Sequence, residues 1–333
     1  MMLKRIIKEH PIKVISFFLC ITVFISIRFW AYYAPLPISD WNKKGISRIK
    51  ISDPENFSFA VFGDNKGNSS VFEPLLRDID RRMDIAFAIG VGDLVGSGKI
   101  GQYRYLLNQI QKYLTIPFVA VPGNHDFNKI NGFSNYRQVF GPTYYTFQIG
   151  QAYFIVLDST KESSFDKAEL RWLDDELQKA QTSKVLFVFM HIPPFNPRGG
   201  SGFLPEKDRK DLSDLLRRYN VSHLFASHVH GYFSGVWEGV PYTVTGGAGG
   251  RLQGSDPEYF FHHYIQARVN NGEVETVVRR INGMDATSRF LDLIEDYGLE
   301  GGLLLGAGIS LVTLGVSMKR KRRSSSPESG IDK

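Results

Sequence analysis

The stretch Phe118-Val119-Ala120-Val121-Pro122-Gly123-Asn124-His125-Asp126 decides the fold class. Its four apolar residues read as a buried strand. Pro122-Gly123 ends that strand, and three residues able to bind metal or move protons follow at once. The same order of apolar run, tight turn and polar residue recurs along the chain. Phe57–Phe62 leads into Gly63-Asp64-Asn65-Lys66, and Ala86–Val91 into Gly92-Asp93. Lys184–Met190 precedes His191, and His223–Ala226 precedes Ser227-His228-Val229-His230. Strands that all end this way gather their polar residues at one edge of an open α/β sheet, where ligand sites form.

Helical periodicity fills the intervals. Val71–Met83 places Phe72, Leu75, Leu76, Ile79 and Met83 on one face, with Pro74 in its first turn, where proline is tolerated. Asp166 and Glu169 read as a capping box for a helix burying Leu170, Leu173 and Leu177. Leu212, Leu215, Leu216 and Tyr219 mark a third helix. Ala152–Leu157, Tyr242–Thr245, Tyr259–Val269 and Glu273–Ile281 read as further strands, the last two joined by an Asn270-Asn271-Gly272 turn. This alternation is that of a layered α/β domain over residues 55–282. Residues 36–54 read as a linker, His223 as a core histidine, and His262 and His263 as sheet-surface residues.

The chain has 333 residues, 43% hydrophobic and 22% charged, which excludes a disordered or collagen-like chain. Cys20 is the one cysteine, so neither an intrachain disulfide nor a thiolate zinc cluster can form. The net charge of +6 sits at the ends. Residues 1–35 carry five basic residues against one acidic, and 319–333 six against two, so the remainder carries −2. A body of that charge argues against a nucleic-acid partner; protein partners are left open.

The basic ends flank the two most apolar stretches. Val14–Ile27, extended through Arg28 to Trp30, Tyr32 and Tyr33, gives about 20 residues, enough to cross a bilayer. Gly301–Met318 carries no charge. The expectation is an N-terminal membrane anchor over 1–35, a juxtamembrane segment over 283–298, a transmembrane helix over 299–318 and a basic tail over 319–333. Because Lys and Arg stay inside, both termini are expected to be cytoplasmic and the catalytic domain extracytoplasmic, with the lipid bilayer as partner.

The candidate ligands are Asp64, Asp93, Asn124, His191, His228 and His230. Oxygen and imidazole donors without thiolate suit Mn, Fe or Zn. The set is too large for one tetrahedral ion and suits two divalent metal ions sharing a carboxylate. Ions about 3.5–4 Å apart clamp a phosphoryl group and lower the pKa of a bridging water, which then attacks phosphorus.

The order of these pieces resembles the calcineurin-like metallophosphoesterase superfamily, whose signature runs Asp-x-His, Gly-Asp, Gly-Asn-His-Asp/Glu, His, Gly-His-x-His. The resemblance spans about residues 55–282. Trp172-Leu173 and the run Gly246–Gly250 are similar to its purple-acid-phosphatase-like branch. It implies a four-layer α/β/β/α sandwich. It implies Asp93 as the bridging ligand, with Asn124, His191 and His228 completing one metal site and Asp64 and His230 holding the other. His125 would be the general acid, and Asp126 would either orient it or shape the turn. Two departures stand out. Ser227 replaces a glycine, and Lys66 replaces the first-motif histidine. Purple acid phosphatases lack that histidine too but supply a tyrosine where this chain has Gly96. Lys66 could contact substrate phosphate, stay solvated, or bind metal as a neutral amine. Asn65 could lend a carbonyl oxygen to metal or contact substrate, and Arg198 is a candidate phosphate contact. The first metal site is expected to be the weaker. The function expected is hydrolysis of a phosphomonoester or phosphodiester, membrane-associated substrates included. The alternatives are a non-catalytic membrane scaffold with a decayed metal site, or a nuclease.

Overall fold

In strand β1 (Asn56–Phe62), Phe59 and Val61 face one way and Ala60 and Phe62 the other, all four fully buried. A strand apolar on both faces needs a covering layer on each. The computed structural model, which describes residues 11–33, 39–160, 166–200, 202–284 and 307–310, supplies both. The further strands are β2 (Ile85–Val91), β3 (Phe118–Val121), β4 (Tyr145–Ile149), β5 (Ala152–Val156), β6 (Val185–Phe189), β7 (His223–Ala226), β8 (Tyr232–Trp237), β9 (Val240–Thr245), β10 (His263–Asn270) and β11 (Glu273–Arg280). They form a five-stranded sheet, β11-β10-β1-β2-β3, and a six-stranded sheet, β4-β5-β6-β7-β9-β8. β1, β2 and β3 run parallel, as do β5, β6, β7 and β9. Their carboxyl ends therefore meet at one edge.

Phenylalanines cement the two sheets face to face. Phe59 stacks on Phe87 at 5.1 Å within its own sheet and meets Phe154 and Phe187 of the other edge-on, at 5.4 and 5.2 Å. Helices cover the outer faces. Leu75, Leu76 and Ile79 of Ser69–Asp80 and Leu106, Leu107 and Ile110 of Ile100–Tyr113 pack on the first sheet. Leu173 and Leu177 of Lys167–Lys179, with Leu212 and Leu216 of Glu206–Arg218, pack on the second. The order is helix, sheet, sheet, helix.

Several expectations need correction. Met83 lies beyond the end of its helix and is 97% exposed, because the chain turns at Arg82 to enter β2. Asp166 does cap its helix, accepting from the Ala168 amide at 2.7 Å. Glu169 does not close the box; its Oε1 accepts from the Asp158 amide at 2.6 Å instead. His263 is fully buried rather than on a sheet surface. Residues read as linker form a helix, Trp41–Arg48, that docks on the edge strand β3. There Asn42 Nδ2 donates to the Ala120 carbonyl at 3.0 Å, and Oδ1 accepts from the Ala120 amide at 2.8 Å. The side chain thus imitates a neighbouring strand.

The chain divides into two compact units, Leu36–Met284 and the two termini together. In the terminal unit the helix Pro11–Tyr33 turns Ile12, Ile15, Phe18 and Leu19 outward, and Ser16 Oγ lies 3.3 Å from Ser310 Oγ. Among the described residues no helix is long and apolar enough to cross a membrane. The two expected spans are therefore not supported. Apart from residues 307–310, the second span and the segments 283–298 and 319–333 lie almost wholly outside the described residues.

Candidate metal centre

At the shared strand edge the backbone bends sharply. Asp64, Asp93 and His228 hold left-handed conformations, with φ of 60°, 52° and 66°. Non-glycine residues adopt this region at a cost, and such strain clusters at functional sites. The turns also pass very close to one another: a Cβ at Gly123 would collide with the Asp93 amide, and one at Gly63 with the Ser227 hydroxyl.

Asp64 is fully buried. Its Oδ2 accepts from the His228 amide at 2.8 Å and from the Ser227 hydroxyl. Its Oδ1 accepts no hydrogen bond and lies 3.0 Å from His230 Nε2. His230 Nδ1 is 2.5 Å from the Arg251 carbonyl. A carbonyl can only accept, so Nδ1 carries a proton and His230 turns Nε2 toward Asp64.

Asp93 is arranged the same way. Its Oδ1 accepts from the His125 amide at 2.7 Å, while buried Oδ2 accepts no hydrogen bond. His191 donates Nδ1–H to the Val91 carbonyl at 2.9 Å, and its Nε2 lies 3.2 Å from Asp93 Oδ1 and 3.1 Å from Asn124 Oδ1. His228 Nδ1 reaches the same Asn124 oxygen at 3.1 Å. Burial opposes a charged His191, but Asp93 outweighs it and lifts the imidazole to about 9. Asp93 in turn is held below the ordinary carboxylate range, the pull of His191 and Lys66 overcoming its burial. His228 is pushed down to about 4, chiefly by burial.

The six predicted ligands therefore converge. Ligand atoms of Asp64, Asp93 and His230 lie within 4.8 Å of one another. Lone-pair atoms facing lone-pair atoms in a buried site repel unless a cation stands between them. Asp64 Oδ1 and Asp93 Oδ2, which accept no hydrogen bond, call for a cation beside them, whether metal ion or ammonium. The oxygen and imidazole donor set fits Zn, Mn or Fe.

The family model described as calcineurin-like phosphoesterase matches residues 57–232. The chain belongs to the calcineurin-like phosphoesterase family. It is 28% identical to the serine/threonine-protein phosphatase CPPED1 of Rattus norvegicus over 189 residues, 52% of this chain and 58% of that one. The chain thus matches a little over half the length of CPPED1. It is 29% identical to a "Probable cyclic nucleotide phosphodiesterase" of Rhodopseudomonas palustris, over 55% of this chain and 75% of that one. These relatives are named as phosphatases and phosphodiesterases, hydrolases of phosphoester bonds. The fold matches that of purple acid phosphatase PPD1 from yellow lupin, with a TM-score of 0.53 and 17% identity over 69% of this chain and 53% of that one.

Beside the family's ligand set, His125 is half-exposed and donates Nδ1–H to the Gly96 carbonyl at 2.9 Å. Its Nε2 is left facing the site, 3.9 Å from Asp93 Oδ2. Asp126 does not orient it. That carboxyl is fully buried under the loop, accepting from the amides of Gly123 at 2.8 Å and Leu94 at 3.4 Å and from the Tyr103 hydroxyl at 3.3 Å. Burial, then the Asp93 charge, pushes Asp126 up to about 7. Asp126 shapes the turn. Asn65 is also fully buried, its Nδ2 donating to the Leu94 carbonyl at 2.8 Å and its Oδ1 accepting no hydrogen bond. Arg198 sits on an exposed turn against Asn196 and does not join the cluster.

Sequence reasoning missed Ser227 as a donor to Asp64, and the Gly96 and Arg251 carbonyls that set imidazole tautomers. It also missed a cavity of about 800 Å³ beside Asn124, lined in part by Phe127, Phe133, Arg137 and Tyr144. The tyrosine and phenylalanines carried no signal beyond packing.

Proposed function

We propose that the chain is a metal-dependent phosphoester hydrolase. One observation carries the reading: the buried carboxylates Asp64 and Asp93 face the ring nitrogens of His230 and His191 at 3.0 and 3.2 Å, and each keeps one oxygen that accepts no hydrogen bond. Asp93, Asn124, His191 and His228 would hold one ion, with Asp64 and His230 beside it. A divalent ion bound there polarises a phosphoryl oxygen and makes a water acidic near neutrality.

The chain's own residues do the rest. The Val91 and Arg251 carbonyls accept from Nδ1 of His191 and His230 and hold both rings with Nε2 inward, and His191 must shed its Nε2 proton before that atom can ligate. The Gly96 carbonyl likewise leaves His125 Nε2 as the atom that can deliver a proton to the departing ester oxygen. The cavity beside Asn124 would receive the esterified group, with aromatic rings along its wall and both Arg137 and the carboxyls of Asp158, Asp166 and Glu169 lining it. Hydrolysis of p-nitrophenyl phosphate and bis-p-nitrophenyl phosphate tests the proposal. Turnover that needs added Mn²⁺ and disappears with Asp93→Ala supports it. Rates equal to those of that variant on both substrates would favour the scaffold reading.

The reading includes a membrane tether with the catalytic unit extracytoplasmic. Its support is the outward apolar face of Pro11–Tyr33 and the basic residues at both ends. A reporter fused at residue 160 that proves cytoplasmic would remove it.

A further inference from the structure

Lys66 stands where the family's first motif has histidine, and its side chain does something none of its three expected roles describes. Its backbone is left-handed, with φ of 45°, and its amide donates to the Asp93 carbonyl at 3.1 Å, so the residue is pinned over the site. The side chain is 23% exposed and turns inward. Nζ lies 3.0 Å from Asp93 Oδ2 and 3.7 Å from Asp64 Oδ1. Those are the same two oxygens that accept no hydrogen bond.

We infer that the Lys66 ammonium is a built-in substitute for the family's first metal ion, so that the loaded protein carries one divalent ion, at Asp93, Asn124, His191 and His228. The inference rests on the hydrolase reading above. Three physical points carry it. First, Asp64 and Asp93 are two buried carboxylates, and buried charge needs a counter-charge at hand. Lys66 provides one that cannot diffuse away. Second, among the described residues the first site offers Asp64, Asp93 and His230 as ligating side chains, with Gly96 in place of a fourth donor. Third, a dication seated among those three would lie within a few ångströms of the ammonium. The two would repel with twice the force of two unit charges. The second site has four donors of its own; it shares Asp93 with Lys66, but the ammonium meets Oδ2 while Oδ1 faces His191.

Metal counting on the intact protein tests this. After equilibration with Mn²⁺ and dialysis, the expected content is one ion per chain, with the electron paramagnetic resonance of an isolated ion. Lys66→His restores an imidazole and removes the ammonium, and should raise the content to two, with the spectrum of an exchange-coupled pair. Two ions in the wild type would overturn the inference and leave the hydrolase reading standing. One ion in a folded Lys66→His would also overturn it, since the lysine would not then be what excludes the second. No ion in the wild type would defeat the inference and the hydrolase reading together. The wild-type count decides on its own should the variant fail to fold.

Discussion

His125 presents Nε2 to the site because its Nδ1–H donates to the Gly96 carbonyl. If Nε2 protonates the leaving oxygen, His125→Ala should lower kcat by about 10²–10⁴. The loss should be smaller for a nitrophenolate leaving group, which departs without a proton, than for an alkyl one. Steady-state kinetics on the two ester types checks this. Ser227 gives a stability prediction. Its single hydroxyl proton goes to buried Asp64, with the Thr245 carbonyl 3.1 Å away, so Ser227→Ala should cost about 1.5–3 kcal/mol in urea denaturation. The ligands themselves were readable because each follows an apolar run through a tight turn. Ser227 was readable only as a departure from a motif. The carbonyls of Gly96, Val91 and Arg251 were not readable, because a backbone oxygen has no residue type. Asp126 misled because a carboxylate next to a histidine in sequence need not touch it; here the turn sends it beneath the loop.

At the scale of elements, the helix Trp41–Arg48 protects an otherwise bare strand edge. Asn42→Ala would strip the Ala120 amide of its partner, while the Ala120 carbonyl keeps the Tyr136 and Tyr145 hydroxyls. The expected cost is about 1–3 kcal/mol. The strands at the centre of the sheets were legible to within a residue or two, since Phe and Val on both faces allow few other structures. This helix was not, because its eight residues are mostly polar and its reason for existing is a strand 78 residues away. The failed capping box makes a second prediction. Burial lifts Glu169 to about 8, offset in part by the Asp158 amide. A carboxyl whose folded pKa lies above its unfolded value stabilises most below the unfolded value, and that stability is lost as pH rises toward the folded one. Between about pH 4.5 and 8 Glu169 should therefore make the protein less stable with rising pH, by at most about 1.4 kcal/mol per unit. Glu169→Gln keeps the acceptor and should flatten that part of the profile in pH-dependent unfolding.

At the scale of the whole molecule, two sheets locked by phenylalanines hold strained turns at one edge, and the site is where that rigidity is used. Buried Asp64 and Asp93 tie the site to stability. An ion that binds only the folded state adds about 2.7 kcal/mol at a hundredfold excess over its Kd. Chelation should thus both abolish turnover and lower the melting temperature, and Mn²⁺ should restore both. The most direct test of the convergence is anomalous diffraction at the zinc edge from Zn²⁺-soaked crystals. We expect a peak about 2.0–2.2 Å from Asp93, Asn124, His191 and His228. Density at another place on the surface, with these four side chains bare, would contradict it.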